Sequence, residues 1–291
     1  MAPSSKPAAR GFNSRVAVVM GTNEIASAVA VHLHRGGWRL VLSHDPHPPV
    51  IRRRMAFHDA MFGDPAEVDG IRGVGAETSL EVASLLAKGE IVVTRLGLLD
   101  LIPIAALHVL VDARMQKREH HPDLRHLAEL TVGLGPGFAV GQNCDIAIET
   151  LPSKNGTVVY EGRTEAASGL ARSLGGVGAE RFVYSAAPGR WHCAVDIGTR
   201  VYKNFPVGIL NGAAICAPMD GILRGAVRDG TEVPAGVKLL EIDPRGRQAR
   251  WTGIDERGAV IARAASAAIA EKLAGRSAAN EALGKAPAWL M

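Results

Sequence analysis

Several familiar catalytic signatures are missing from this sequence. It has no GxSxG elbow, no HExxH helix and no Walker-type phosphate loop, which argues against the hydrolases, zincins and P-loop enzymes that depend on them. Cysteine is scarce: Cys144, Cys193 and Cys216 form no CxxC pair and are odd in number, so a disulfide framework is excluded and a reducing cytoplasm is the expected location. No apolar run is long and clean enough to span a bilayer. The longest, LGLLDLIPIAALHVLV, is broken by Asp100, Pro103 and His108 and fits a core helix followed by a strand. Histidine is more plentiful, but His32 and His34 diverge on a helix while His120, His121 and His126 sit in a polar segment, so no metal site is expected.

Charge of one sign is also not in large excess. With 33 basic against 29 acidic residues the net charge is +4, and neither nucleic acid nor a membrane is expected as a partner. The 47% of hydrophobic residues, with only 4% aromatic, is ample for a packed core.

Four strand-length apolar runs, at 15–20, 38–43, 90–94 and 108–112, alternate with helical segments. This is the pattern of parallel βαβ units and predicts an α/β, Rossmann-like domain. Helices are expected from Glu24 to Arg35, with glycines 36 and 37 as the stop, from about Val50 to Phe62, and from Ser79 to Lys88. In such a fold ligands lie beyond the carboxyl ends of the strands, which singles out Gly21, Thr22 and Asn23, and also Asp45, placed where an acid would hold a ribose hydroxyl or else simply opens the turn DPHPP. The first loop holds one glycine where a dinucleotide loop carries two or three. Glu24 would repel a phosphate arriving there. Arg52 and Arg53, in the run IRRR, suit forked contacts with an anion, or else form a solvated helix start. The glycine-dense corner GLGPG, with Gly133, Gly135 and Gly137, could present an anion nest or simply turn the chain. Cys144 just after it is either a sulfur carrier or a buried strand opener. No catalytic residue is assigned.

The second half holds a short repeat. Segments from Ala187 and Ala217 each run from Ala-Pro to GTxV, at 198–201 and 230–233, which fits two interlocked halves of a small β barrel. The second copy resembles the biotinyl/lipoyl carrier domain, the barrel-sandwich hybrid. A carrier lysine would stand at the hairpin tip, here Leu210-Asn211-Gly212-Ala213, and none is present, so no biotin or lipoate attachment is expected. Lys203 and Lys238 are assigned to other turns and are not expected to be modified. The expected division is a disordered tail over 1–13 with no secretory signal, a Rossmann-like domain over 14–180, a barrel-sandwich hybrid over 181–246, and an Ala-rich helix and tail over 247–291, docking on one of the two domains or on a second subunit of a homo-oligomer.

Taken together, PxxIRRxxAFxxAxxG from Pro48, VVDAR-like residues at 109–114, GLGPGF, IET at 148–150 and DGTxVxxGxKLxxIDPRG from Asp229 resemble the YqeB-type accessory proteins of selenium-dependent molybdenum hydroxylase systems, across residues 14–270. This resemblance implies a role in maturing xanthine-dehydrogenase-like enzymes, with molybdenum cofactor (molybdopterin) or a nucleotide as ligand and the client hydroxylase as partner. Where that family reads GAGDLAS, this chain reads MGTNEIAS, and LPSKNGTVV replaces a segment containing His and Gly after IET. Two other readings stay open from the residues themselves: an NAD(P)-dependent oxidoreductase with Asp45 on the ribose, and a non-catalytic scaffold.

Overall fold

A computed structural model describes residues 15–117 and 119–284, with 277–284 as backbone only; both expected tails lie outside the described residues. The first domain is built from β1 (Val16–Met20), α1 (Glu24–Arg35), β2 (Arg39–Ser43), β3 (Ala66–Val68), β4 (Ile71–Ala76), α2 (Ser79–Lys88), β5 (Ile91–Thr94), α3 (Leu98–Leu101), β6 (Val109–Asp112), β7 (Leu130–Leu134), β8 (Ile146–Ile148) and β9 (Val158–Val159). Its strands form one sheet in the order β3-β4-β5-β2-β1-β6-β7-β8-β9. The strands from β4 to β8 are parallel, and antiparallel β3 and β9 close the edges. Strand order reverses at β1, with β2 on one side and β6 on the other, which makes a topological switch point there.

The helices fall where period and caps put them. In α1 every residue from Ile25 to Val31 is buried, because the run is made of small and apolar side chains. Thr78 and Glu81 make a capping box for α2, and Gly89 ends it in the left-handed conformation that glycine adopts freely. The expected helix over 50–62 does not form. Arg53–Met55 and His58–Phe62 are separate 3-10 turns, with Ala56 extended between them. Their buried faces dock under β4, where the added Cβ of any residue other than glycine at 73 would come within 2.7 Å of the Phe57 ring. The Ala226 N–H donates to the Ile51 carbonyl at 2.9 Å, tying this segment to the second domain.

That domain contains β10 (Phe182–Tyr184), β11 (Gly189–His192), β12 (Arg200–Val201), β13 (Pro206–Leu210), β14 (Ala213–Cys216), β15 (Gly221–Ala226), β16 (Glu232–Val233) and β17 (Lys238–Asp243). They make two four-stranded antiparallel sheets, β10-β17-β15-β12 and β14-β13-β11-β16. The two copies of the repeat exchange their short strands: β12 of the first pairs with β15 of the second, and β16 of the second pairs with β11 of the first. One core, centred on the fully buried Trp191, serves both sheets. The tip between β13 and β14 is an Asn211-Gly212 turn with both residues at positive φ.

The C-terminal helix α4 (Glu256–Gly284) returns to the first domain. Ile261, Ala262, Ala265, Ala268, Ile269 and Leu273 are buried at helical spacing in the same core as α1, and the small side chains let the two helices approach closely. Helices α1 and α4 therefore cover one face of the sheet. The other face is covered by α2 and α3. No helix of the described residues is long and apolar enough to cross a membrane.

Candidate functional site

The first loop keeps the shape of a nucleotide loop, but its hydrogen-bonding groups are already used. Gly21 has φ of +104°, and a Cβ there would stand 2.9 Å from the Ala113 carbonyl, so glycine is required for the sheet to close. The Asn23 side chain accepts from the N–H groups of Ile25 and Ala26, at 2.9 and 3.0 Å, and donates to the Ala113 carbonyl at 2.7 Å. Asn23 thus takes the helix-end amides that a pyrophosphate would need. Thr22 is buried, its hydroxyl lying 3.1 Å from His44 Nδ1 and 2.9 Å from His58 Nδ1. Burial, then His44, Arg53, Arg228 and Arg95, drives His58 down to about 3, so this imidazole is neutral.

Asp45 faces Arg114 at 3.4 Å and Gln116 at 3.1 Å, and Arg114 is gripped in turn by Asp112 at 2.7 Å. The carboxylate proposed for a ribose is therefore part of a closed polar network.

Arg52 and Arg53 also have protein partners. Arg52 Nε and Nη2 donate to the two oxygens of Glu241 at 2.7 and 3.1 Å, and Nη1 donates to Glu24 at 2.8 Å. Arg53 donates to the Ala226 carbonyl at 3.0 Å and to Asp59 at 2.6 Å. Glu241 is fully buried. It also accepts from Arg181 at 3.0 Å and lies 3.7 Å from Arg224. Burial pushes its proton affinity up, but Arg52, supported by Arg224 and Arg181, outweighs burial and holds the carboxyl at about 2.

The GLGPG corner is a packing device. A Cβ on Gly133 would collide with the Phe138 ring, and one on Gly137 would come within 2.9 Å of His121, which stacks on that ring at 4.2 Å. The Gly135 N–H donates to the Ile148 carbonyl at 3.0 Å. Cys144 is buried beside Phe138, and burial followed by Asp145 pushes its thiol up to about 12, far from the thiolate a sulfur carrier needs.

Beyond the carboxyl ends of β7 and β8 lies a cleft of about 690 Å³, walled by the first domain, the segment 165–175, the double-sheet domain and the start of α4. Of the candidate ligand-binding residues named from the sequence, only Arg52 lines it, together with Lys238, which the sequence placed in a turn; from the glycine corner it receives Pro136 alone. Ten basic and five acidic residues line the cleft, so a net positive field is built in. Arg52, Arg181 and Arg224 are balanced around Glu241, and Arg224 also donates to Asp255 at 2.8 Å. Lys117, Lys238 and Arg257 are not balanced: among the described residues none has an ion-pair partner. Burial, then Arg52, brings Lys238 down to about 8 against the partial support of Glu241. Burial, then Arg257 and Arg52, lowers Lys117.

Sequence reasoning missed this trio because its members come from three elements far apart in the sequence. The most telling sequence sign was Lys238, which the repeat placed in a turn. It in fact opens β17 and faces the cleft. Among the described residues no cluster of three or more His, Cys, Asp or Glu side chains is arranged to hold a metal ion.

No protein-family model matches the chain. Among solved structures it is similar to an aspartoacylase family protein from Mesorhizobium loti, at 11% identity over 79% of this chain and 85% of that one, with a TM-score of 0.24. It is similar also to the product-bound ectoine utilization protein EutE (DoeB) from Ruegeria pomeroyi, at 12% identity, 79% and 85% coverage and a TM-score of 0.24. Likeness at that level carries no argument. The chain is 30% identical over 248 residues to the uncharacterized protein YqeB of Escherichia coli (strain K12), an alignment covering 85% of this chain and 46% of that relative. The chain spans about half the length of the curated relative it matches. Over those 248 residues the chain is similar to YqeB, a likeness that supports a YqeB-type protein.

Proposed function

We propose that the protein is an accessory factor for a molybdenum hydroxylase, binding an anionic pterin or nucleotide cofactor in the cleft between its two domains and presenting the double-sheet domain to the client enzyme. One observation carries the binding part: Lys117, Lys238 and Arg257 converge on a large cleft, and among the described residues none of them is in ion-pair contact with a carboxylate. Holding like charges together in a partly buried site is unfavourable, and a counter-charge from a ligand relieves it. The donor set suits the phosphate of a molybdopterin or nucleotide, which several cationic side chains can grip at once. The resemblance of the sequence motifs to molybdenum hydroxylase accessory proteins supports the cellular setting. The cleft is at the end of the parallel sheet but displaced from the first loop, whose amides Asn23 occupies. This placement favours a cofactor-handling role over hydride transfer from a dinucleotide.

The test is mass spectrometry of small molecules released from the purified full chain, together with client hydroxylase activity in cells that lack the protein. A phosphorylated pterin or nucleotide and reduced client activity are expected. Full client activity without the protein would refute the accessory role, and a chain that carries and binds no anion would refute the binding role.

A further inference from the structure

We propose that Lys117, Lys238 and Arg257 form a recognition triad for a phosphate-type dianion, a phosphomonoester or diphosphate, in preference to a carboxylate or an uncharged ring. The proposal rests on the anion-binding reading above and specifies which group of the ligand is gripped. The three residues approach from three directions: Lys117 from the crossover after β6, Lys238 from the first position of β17, and Arg257 from the first turn of α4.

Each has donors to spare. The Lys238 ammonium rests over the Phe182 ring at 3.6 Å and has no hydrogen-bond acceptor among the described residues. Arg257 donates from Nη2 to the Thr150 carbonyl at 3.2 Å, leaving most of its guanidinium edge free. Lys117 has no acceptor among the described residues either.

The nearby carboxylates are already engaged. Around Lys238 the charged neighbours are Arg52, Lys117, Glu241 and Glu24. Glu241 accepts from Arg52 and Arg181, and Glu24 accepts from Arg52. A singly charged guest would leave this excess largely uncompensated, whereas a dianion comes close to neutralising it. Geometry points the same way, since a tetrahedral phosphate offers acceptor oxygens in three directions and a carboxylate offers two in one plane. Phe182 and the linker over 167–174 leave an apolar and main-chain wall for the organic part of the ligand.

The experiment is isothermal titration of the full chain at pH 7 and low salt with inorganic pyrophosphate, GMP, guanosine and acetate. Saturable binding of pyrophosphate and GMP, but not of guanosine or acetate, is expected. Lys117→Met, Lys238→Met and Arg257→Met should each weaken GMP binding about tenfold to a hundredfold, the effect of losing one charge-assisted hydrogen bond. If GMP binds and all three variants keep wild-type affinity, the triad is wrong while anion binding stands. Guanosine or acetate binding as tightly as GMP overturns the dianion class. Failure of wild type to bind either phosphate probe overturns the triad, while the broader reading is then judged separately by the compound that copurifies. Circular dichroism of each variant distinguishes lost binding from lost folding, and Lys238→Gln provides a second, polar replacement if the Met variant does not fold.

Discussion

Arg52 and Glu241 stand 189 residues apart in sequence and meet through two hydrogen bonds of 2.7 and 3.1 Å, joining the segment between β2 and β3 to the middle of a strand in the second domain. Since Glu241 is fully buried and is shared by Arg52, Arg181 and Arg224, its removal would leave several guanidinium groups without their counter-charge. Glu241→Leu is expected to destabilise the protein by about 3–5 kcal/mol, the range for breaking a buried ion pair from one side. Urea unfolding followed by fluorescence and circular dichroism measures this; a loss below about 1 kcal/mol would show that the network is not structural.

The same carboxyl predicts an acid limit. Its folded value is about 2 against an ordinary 4.5, so its contribution is present in full above about 4.5 and is lost as pH falls from there toward 2. Wild-type stability should therefore drop through that window more steeply than that of Glu241→Gln. Parallel acid titrations of the two proteins, with slopes compared between pH 5 and 2, check the sign.

Much of the architecture was legible because periodicity and punctuation agreed. The runs at 38–43 and 90–94 became β2 and β5 within a residue, and Gly89 ended α2 as expected. The exchange of β12 and β16 between the two copies was visible in the GTxV repeat. The β3–β4 hairpin was missed although Asp69-Gly70, both at positive φ, is a strong turn signal between AEV and IRGVGA. The segment at 50–62 was misjudged because its composition suits a helix, while Arg52 and Arg53 are drawn to partners in the second domain. The cleft was the least legible part. Arg52 was singled out for its charge and Lys238 for its place in the repeat, but Lys117, Lys238 and Arg257 become neighbours only when three distant elements assemble.

The glycine corner yields a prediction that separates packing from binding. Gly133→Ala should force the Phe138 ring from its place on β7 and cost about 1–3 kcal/mol, the usual penalty for overpacking a core. Gly212→Ala, in an open turn with nothing within 4 Å, should cost only about 1 kcal/mol for its positive φ. At temperatures where both variants are folded, phosphate binding should be unchanged. A Gly133→Ala protein that is fully stable but no longer binds phosphate would instead make the corner a ligand contact.

Lys238 ties binding to stability in opposite directions. Its folded value is about 8 and its ordinary value 10.5, so below about 8 the folded protein carries the full cost of an ammonium held near Arg52 and Lys117. Between 8 and 10.5 the unfolded chain binds more protons than the folded one, so this contribution makes stability rise with pH across that window. Lys238→Met removes the penalty and should stabilise the unliganded protein at pH 7 by about 1–2 kcal/mol, after discounting for the partial exposure of the side chain. It should also abolish that part of the alkaline rise. The same variant is expected to bind GMP more weakly, because the repulsion that costs stability is what a phosphate relieves. Thermal melts at pH 7 and 9.5, with and without pyrophosphate, read both effects. A variant less stable than wild type at pH 7 would mean that Lys238 is held by favourable contacts, and that the cleft is not poised for an anion.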